Sequence, residues 1–234
     1  MKQILVLQGN RNSGKDECIK NLNWLLNTPR LLHFYWIAKL FNFKTVTHKW
    51  HITKYATPIK KILSIILGVP EERFEDRDFK ENWYFSFSRH EFKNILILDV
   101  SEYLTDKEFS KKLKKGNLDI ILEYYLSVRQ ILQVFGTEVM RRFFGDKLWI
   151  NITLSNNADK LMIGDQRFIV ENEVAKYHDA TIIHINRPNI EISDHPSEKE
   201  LVYLHEEKAY DILINNDGTL KDLFYKCKNI LKCL

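Results

Sequence analysis

Gly9, Gly14 and Lys15 have the spacing of a loop that binds phosphate groups, G-x-x-x-x-G-K. An apolar run precedes the loop, and an amphipathic helix is predicted to begin at about Lys15. Glycine lets the backbone turn so that successive N–H groups point at phosphate oxygens, and the helix N-terminus adds further donors. Lysine supplies a positive charge for the β- and γ-phosphates. The segment therefore predicts a nucleoside triphosphate site formed by Arg11, Asn12, Ser13, Gly14, Lys15, Asp16 and Glu17.

Asp16 occupies the position where such a loop normally carries Ser or Thr, whose hydroxyl group binds Mg²⁺. A carboxylate beside a triphosphate is repulsive unless a cation lies between them. We therefore expect Asp16 to face Mg²⁺, directly or through water, and we expect the site to require this ion strictly. Residues Ile95–Asp99 predict a strand that ends in a carboxylate, so Asp99 is an alternative candidate for the acidic residue that faces Mg²⁺.

A second group of chemically capable residues lies on the helix predicted over Ser127–Gly145. At 100° per residue, one face is apolar and comprises Val128, Leu132, Phe135, Val139 and Phe143. The neighbouring face carries Arg129, Gln133, Gly136, Thr137 and Met140. Arg129 can form two hydrogen bonds to a phosphate, and the amide of Gln133 can donate and accept hydrogen bonds at a nucleobase edge. A glycine in mid-helix lowers helix stability by about 1 kcal/mol relative to alanine. Close approach of another backbone or of a flat ring would explain why Gly136 stands there. A surface helix with an incidental glycine stays open as the alternative.

Charged residues of two further segments could serve a phosphate site. Arg77 and Lys80 lie in a run of mixed charges, EERFEDRDFKE, that fits either a phosphate pocket or an exposed helix face. Residues Leu161–Asp165 predict a buried strand with Asp165 at its carboxyl end, and Arg167 follows two residues later. The carboxyl ends of strands are where an open α/β sheet presents groups that bind ligands.

Strand-like and helix-like segments alternate along the chain, which predicts an α/β fold with a mostly parallel sheet covered on both faces. The length of 234 residues suits a single domain over 1–234, with helical insertions at about 28–50 and 71–126. Residues 31–43 predict a second apolar helix whose aromatic side chains face the core. Thr57 followed by Pro58 predicts the start of another helix, because threonine caps helices and proline suits their first position.

Composition limits the classes of partner. The net charge of +4 is small, and the sequence has no basic stripe. This charge suits small anionic substrates and predicts no stable binding of nucleic acid. The apolar runs are shorter than the roughly 20 residues that cross a membrane. Three cysteines without a C-x-x-C pair predict reduced thiols in a cytoplasmic, soluble protein. His48 and His51 form a close pair, but no cysteine accompanies them, and we expect no metal site there.

Several segments, taken in order, make the chain resemble the deoxynucleoside monophosphate kinases of tailed phages, which belong to the P-loop kinase class. They are GNRNSGKD, YATPIKKILSIILGVPEERFEDRDFKE, SVRQILQVFGTEVMRRFFGDKLW, GDQRFIVENE, the His-x-Ser-Glu of His195–Glu198, and NNDGTLKDL. The helix with Arg129 and the segment with Asp165 carry more weight than the generic phosphate loop. Asp16 follows the family pattern, whereas Glu17 stands where the family commonly has threonine.

The resemblance implies a three-layer P-loop kinase fold and transfer of the γ-phosphoryl group of ATP to a deoxynucleoside 5′-monophosphate, with Mg²⁺ bridging the ATP phosphates. It implies that Lys15, Arg129 and Asp165 are the catalytic residues. The acceptor nucleotide would be bound by Arg77, Lys80, Arg129, Gln133, Gly136, Thr137, Trp149, Asp165 and Arg167. Arg77 and Lys80 would belong to a mobile segment that closes over the site. We expect the clusters of Lys15 and Arg129 to meet in one cleft, and the protein to act in the host cytoplasm if its source is viral. A homodimer is left open.

Two other functions fit parts of the sequence. A P-loop kinase of the phosphomevalonate kinase type also has Ser-Gly-Lys-Asp in its loop, but an isoprenoid phosphate offers no base edge for Gln133 to read. A non-catalytic nucleotide-binding regulator, or a DNA-associated ATPase, could use the same loop as a switch. The sequence does not predict which bases are accepted.

Overall fold

The computed structural model describes residues 2–45, 47, 49–88, 123–190 and 196–234. The predicted strand Ile95–Asp99, together with His48 and His195, lies outside these residues. Two compact units are distinguished, one formed by Met1–Thr57 with Trp149–Leu234 and the other by Pro58–Leu148. The organisation of residues 1–234 as a single domain stays a prediction.

The described part of the chain alternates between strands and helices. The strands are β1 (Gln3–Gln8), β2 (His51–Thr53), β3 (Tyr84–Ser88), β4 (Glu123–Ser127), β5 (Lys160–Gln166), β6 (Thr181–Asn186) and β7 (Ile212–Asn215). The α-helices are α1 (Lys15–Asn27), α2 (Tyr35–Leu40), α3 (Thr57–Leu67), α4 (Arg77–Asn82), α5 (Val128–Gln133), α6 (Arg142–Phe144), α7 (Leu148–Leu154), α8 (Ile169–Tyr177), α9 (Pro196–Glu206) and α10 (Leu220–Ile230). A π-helix, Val134–Arg141, joins α5 to α6, and 3-10 turns cover Arg30–Leu32 and Glu71–Glu75. None of the described helices is long and apolar enough to cross a bilayer.

A five-stranded parallel sheet, in the order β2-β5-β1-β6-β7, organises the first unit. Alternate residues of β1 point to opposite faces of this sheet. Leu5 and Leu7 pack with residues of α1, α2 and α10, whereas Ile4 and Val6 pack with residues of α7 and α8. Helices therefore cover both faces, which confirms the predicted α/β fold with a parallel central sheet. The parallel arrangement also places the carboxyl ends of β1, β5 and β6 along one edge, where the phosphate loop begins.

The second unit has its own core. Strands β3 and β4 pair antiparallel, and helices α3, α4 and α5 contribute Leu63, Phe79 and Val128 to a cluster that also buries Phe74 and Leu126. Ser127 begins α5 through a capping box with Gln130, in which each side chain accepts a hydrogen bond from the other residue's backbone N–H.

The helix predicted over Ser127–Gly145 is present, but not as one continuous α-helix. Its central residues, Val134–Arg141, form a π-helix, so positions no longer advance by 100° per residue. Ile131 and Val134 are buried with Val128, and Phe143 is 62% exposed. The predicted apolar face is therefore wrong at Phe143.

The second apolar helix predicted over residues 31–43 is wrong in length and only partly right in burial. A 3-10 turn and the six-residue α2 occupy this segment, and positive φ angles at Asn42 and Phe43 follow them. One face of so short a helix can reach the core, and Tyr35 and Ala38 lie on it. Trp36, on the opposite side, is 65% exposed.

Candidate nucleotide-binding site

The loop between β1 and α1 has a backbone that only glycine fits at both ends. Gly9 has φ +150°, and a Cβ there would lie 2.5 Å from the Ile185 carbonyl oxygen. Gly14 has φ +97°, and a Cβ there would lie 2.4 Å from the Asn216 Nδ2 atom. Asn216 donates from Nδ2 to the Ser13 carbonyl at 2.9 Å, so the loop is fixed against the segment after β7. Both glycines are needed for this cradle to form.

Helix α1 begins without a side-chain cap on its first-turn N–H groups. Its N-cap is Gly14, which has no side chain to accept hydrogen bonds from the first turn. Ser13 is buried, and within the described residues its hydroxyl oxygen has no hydrogen-bond partner. Uncapped N–H groups, the positive end of the helix dipole and an unpartnered hydroxyl together suit an anion such as a phosphate group.

Lys15 lies folded against the loop. Its Nζ atom donates to the Gly9 carbonyl and, at 2.7 Å, to the Asn10 carbonyl. The side chain is nearly buried, and this burial, followed by the positive charge of Arg167, lowers the pKa of Lys15 to about 8. The negative charges of Glu198, Asp16 and Asp165 oppose the shift. Lys15 and Asp16, predicted to bind the triphosphate, and Asp165 and Arg167, predicted to bind the acceptor, all lie in the first unit, where Gln8 before the loop pairs with Gln166 of β5.

Asp165, at the carboxyl end of β5, uses both of its oxygens on backbone groups. Oδ1 accepts from the Tyr55 N–H at 2.7 Å and Oδ2 from the Ala56 N–H at 3.2 Å. Burial raises the pKa of Asp165, while these two hydrogen bonds act in the opposite direction. The carboxylate thus fixes the backbone immediately before α3 and lies beside the phosphate loop at the same time.

Asp16 and Glu17 lie in the first turn of α1. The Asp16 side chain is 88% exposed, and its carboxylate lies 3.8 Å from the Lys54 Nζ atom. Glu17 pairs with Lys20 one turn further along the helix, also at 3.8 Å. Pairs as exposed as these contribute little to stability, so the exposed Asp16 carboxylate can exchange its partner for a cation.

Glu198 is a residue of this site whose role was not predicted from the sequence. It lies in the first turn of α9, is 2% exposed, and contacts Asn10, Arg11 and Arg167. Glu198 belongs to the His-x-Ser-Glu segment, but its contact with Asn10 joins residues that are 188 positions apart in the chain. A pattern in one sequence carries no signal for such a pairing.

Arg129 lies in the second unit, in the first turn of α5. Its Nε and NH2 atoms donate to Glu81 Oε1 at 3.0 and 2.6 Å. The Arg129 side chain is 40% exposed, so the guanidinium remains accessible from solvent. Glu81 belongs to α4, which also carries Arg77 and Lys80. This unit thus places three of the predicted acceptor-binding cations on two packed helices.

The other predicted residues of the second unit differ in exposure. Gln133 and Thr137 are exposed, whereas Gly136 is buried in the π-helix. A Cβ at Gly136 would lie 3.0 Å from Ile59 Cδ1, so the close neighbour is an aliphatic side chain of α3 rather than a backbone or a ring. Trp149, in the first unit, is fully buried. The expected meeting of the Lys15 and Arg129 clusters in one cleft stays a prediction.

Comparison with known proteins identifies the family. A family model described as deoxynucleotide monophosphate kinase matches residues 77–227. The deoxynucleotide monophosphate kinases of Enterobacteria phage T4 and Escherichia phage RB69 are 33% and 32% identical over 121 and 114 residues, or 48% and 45% of this chain. The deoxynucleoside-5'-monophosphate kinase of Escherichia phage T5 is 24% identical over 231 residues, which cover 85% of this chain and 84% of that protein.

The matched part of the chain spans about half the length of the T4 and RB69 proteins, at 48% and 45%. The family model, by contrast, matches well over half of this chain and includes the helix with Arg129 and the strand with Asp165. The chain therefore belongs to the deoxynucleotide monophosphate kinase family.

Proposed function

We propose that the protein transfers the γ-phosphoryl group of ATP to a deoxynucleoside 5′-monophosphate, which gives ADP and the deoxynucleoside diphosphate. The observation that carries the proposal is the cradle between Gly9 and Gly14, which opens on the uncapped start of α1. Family membership supports the choice of the acceptor.

Phosphoryl transfer requires mainly positioning and neutralisation of charge, since the protein forms no covalent bond with the phosphoryl group. The first-turn N–H groups of α1 would bind the ATP phosphates, and Lys15 would exchange its two carbonyl partners for phosphate oxygens. Arg167, whose guanidinium is fixed by Glu198, would add a second positive charge.

Mg²⁺ is the metal that such chemistry uses, and the residues present fit it. In the part of the chain that the structure describes, no cluster of His, Cys, Asp or Glu is arranged to hold a metal by itself. Mg²⁺ usually binds through one or two carboxylates together with substrate phosphates. The exposed carboxylate of Asp16, at the end of the loop, matches that requirement. The ion, when bound, neutralises charge on the phosphates.

The acceptor phosphate would be bound by Arg129, and the exposed side chains of Gln133 and Thr137 would contact the nucleoside. Arg129 supports this role because it is oriented by Glu81 yet is 40% exposed. A guanidinium that is both oriented and accessible forms two parallel hydrogen bonds to a phosphate at little cost in side-chain entropy.

A coupled assay of ADP release tests the proposal. The protein with ATP and Mg²⁺ is assayed against dAMP, dCMP, dGMP, dTMP and phosphomevalonate. Turnover with at least one deoxynucleotide is expected, and Lys15→Ala is expected to lower kcat/KM about a hundredfold or more. Turnover with phosphomevalonate alone, or with none of the acceptors, would contradict the proposed function.

A further inference from the structure

Glu198 combines deep burial with three hydrogen bonds to groups of two other segments. Oε2 accepts from the Asn10 Nδ2 atom at 2.9 Å and from the Arg11 N–H at 3.2 Å. Oε1 accepts from the Arg167 NH1 atom at 3.1 Å. An isolated buried carboxylate is strongly unfavourable, so these donors and the charge of Arg167 are what hold Glu198 in place.

The contacts of Glu198 extend to the head of Lys15 through Asn10. The Asn10 side chain donates to Glu198, and the Asn10 carbonyl accepts from Lys15 Nζ at 2.7 Å. Asn10 is therefore held on one side by the carboxylate and on the other by the lysine. Arg11 follows directly, and its backbone N–H is aimed at the same carboxylate. The first half of the loop consequently takes its position from α9.

We propose that Glu198 is a positioning residue that fixes the first half of the phosphate loop and the Arg167 guanidinium in the arrangement that receives the ATP phosphates. The inference rests on the proposed function, because it takes ATP to be the ligand of the loop. The carboxylate itself does not touch the nucleotide; it acts through Asn10, Arg11 and Arg167. Its effect falls on ATP rather than on the acceptor.

The chain provides a matched control two residues along the same helix. Glu200 Oε2 accepts from the Ile169 N–H at 2.7 Å, at the start of α8. Glu200 thus also ties α9 to a neighbouring backbone, but at α8 instead of at the loop. E198Q and E200Q both replace one carboxylate with an amide of the same size, so their comparison separates an effect on the loop from a general loss of stability.

The experiment measures ATP affinity by titration calorimetry with Mg²⁺ and without acceptor, and thermal unfolding of the same samples. E198Q is expected to weaken ATP binding about tenfold or more, as for loss of a charge-assisted hydrogen bond, because its amide N–H₂ faces donors. E200Q is expected to bind ATP within about twofold of the wild type. E198D keeps the charge but is shorter by one methylene, and its expected affinity is intermediate.

Kinetics provide the second readout. E198Q is expected to raise the KM for ATP about tenfold, while the KM for the deoxynucleotide changes less than about twofold. Equal ATP affinities of E198Q, E198D and E200Q, or tighter binding by E198Q, would overturn the positioning role. If the wild type binds ATP but transfers phosphate to no acceptor, the proposed function fails, while the difference between E198Q and E200Q still decides the role of Glu198. A wild type that binds no ATP overturns both.

Discussion

Acidification should destabilise the protein through His184, a buried histidine of β6. His184 is 1% exposed, and its ring is stacked on His205 at 4.6 Å and tilted against Tyr210 at 5.2 Å between ring centroids. Burial, followed by the charges of His205 and Lys15, lowers the pKa of His184 to about 4. In the described residues its Nδ1 atom has no hydrogen-bond partner. The native structure therefore has little with which to stabilise the imidazolium.

The sign and size of the effect follow from the difference between the two pKa values. The pKa of the unfolded histidine is near its ordinary value of 6.5, and the pKa of the folded one is about 4. Between these values the unfolded chain binds more protons than the native protein, so stability falls as the pH is lowered. The loss of unfolding free energy from His184 is about 2 kcal/mol at pH 5 and approaches roughly 3 kcal/mol by pH 4. The contribution becomes constant about one pH unit above 6.5, where the unfolded histidine is almost fully deprotonated.

The assay combines NMR titration of the histidine C2 protons with urea unfolding at pH 8 and pH 5. His184→Phe keeps an aromatic ring in the stack and removes the titrating group, so this variant should lose about 2 kcal/mol less than the wild type over that interval. His178→Gln, which removes an exposed histidine at the end of α8, is the control and should lose as much as the wild type. A folded-state titration of His184 near pH 6.5, or a His184→Phe variant that loses as much stability as the wild type, would show that burial of His184 does not cause the acid sensitivity.

Three further substitutions test the nucleotide site. Gly14→Ala should weaken ATP binding at least about tenfold and lower the Tm, because the new Cβ would lie 2.4 Å from Asn216 Nδ2 and the residue has a φ of +97°. An unchanged ATP affinity in calorimetry would contradict the assigned loop geometry. Arg129→Ala should raise the acceptor KM about tenfold or more, while the KM for ATP changes less than about twofold; equal changes in both constants would count against its placement on the acceptor. Asp16→Asn should raise the Mg²⁺ concentration needed for half-maximal turnover several-fold, and an unaltered Mg²⁺ titration would remove Asp16 from the metal's surroundings.

Elements with a strong local pattern were predictable from the sequence. The strand β1, the loop and α1 follow one another within residues 3–27, as expected. Thr219 and Asp222, three residues apart, form a capping box at the start of α10. A helix starts at Thr57-Pro58 as predicted, but α3 begins at Thr57 itself, one residue before the start expected with Thr57 as the cap, and the Thr57 hydroxyl accepts from the Lys54 N–H at 3.2 Å. In each case the information lies within a few residues, because caps, turns and amphipathic spacing are local interactions.

Predictions that depended on uniform helical geometry were less successful. The π-helix of Val134–Arg141 changes the angular position of each following side chain, so Phe143 is exposed although a regular helix would bury it. Trp36 is exposed because α2 has only six residues and presents one narrow face to the core. Aromatic composition indicates burial on average, but the length of the element decides which of the side chains reach the interior.

Asp165 shows why even a correctly placed residue does not reveal its contacts from sequence. Its position at the end of a buried strand was predictable, and the structure has it there. Its two partners, the N–H groups of Tyr55 and Ala56, depend on the pairing of β2 with β5, in which Thr53 lies opposite Ile163. A shift of that register by one residue would turn the β2 side chains to the opposite face of the sheet and move these donors away. Whether Asp165 is free for a ligand or bonded to the backbone is thus set by a long-range strand register. The contact of Glu198 with the phosphate loop is likewise long-range, since it joins residues 188 positions apart.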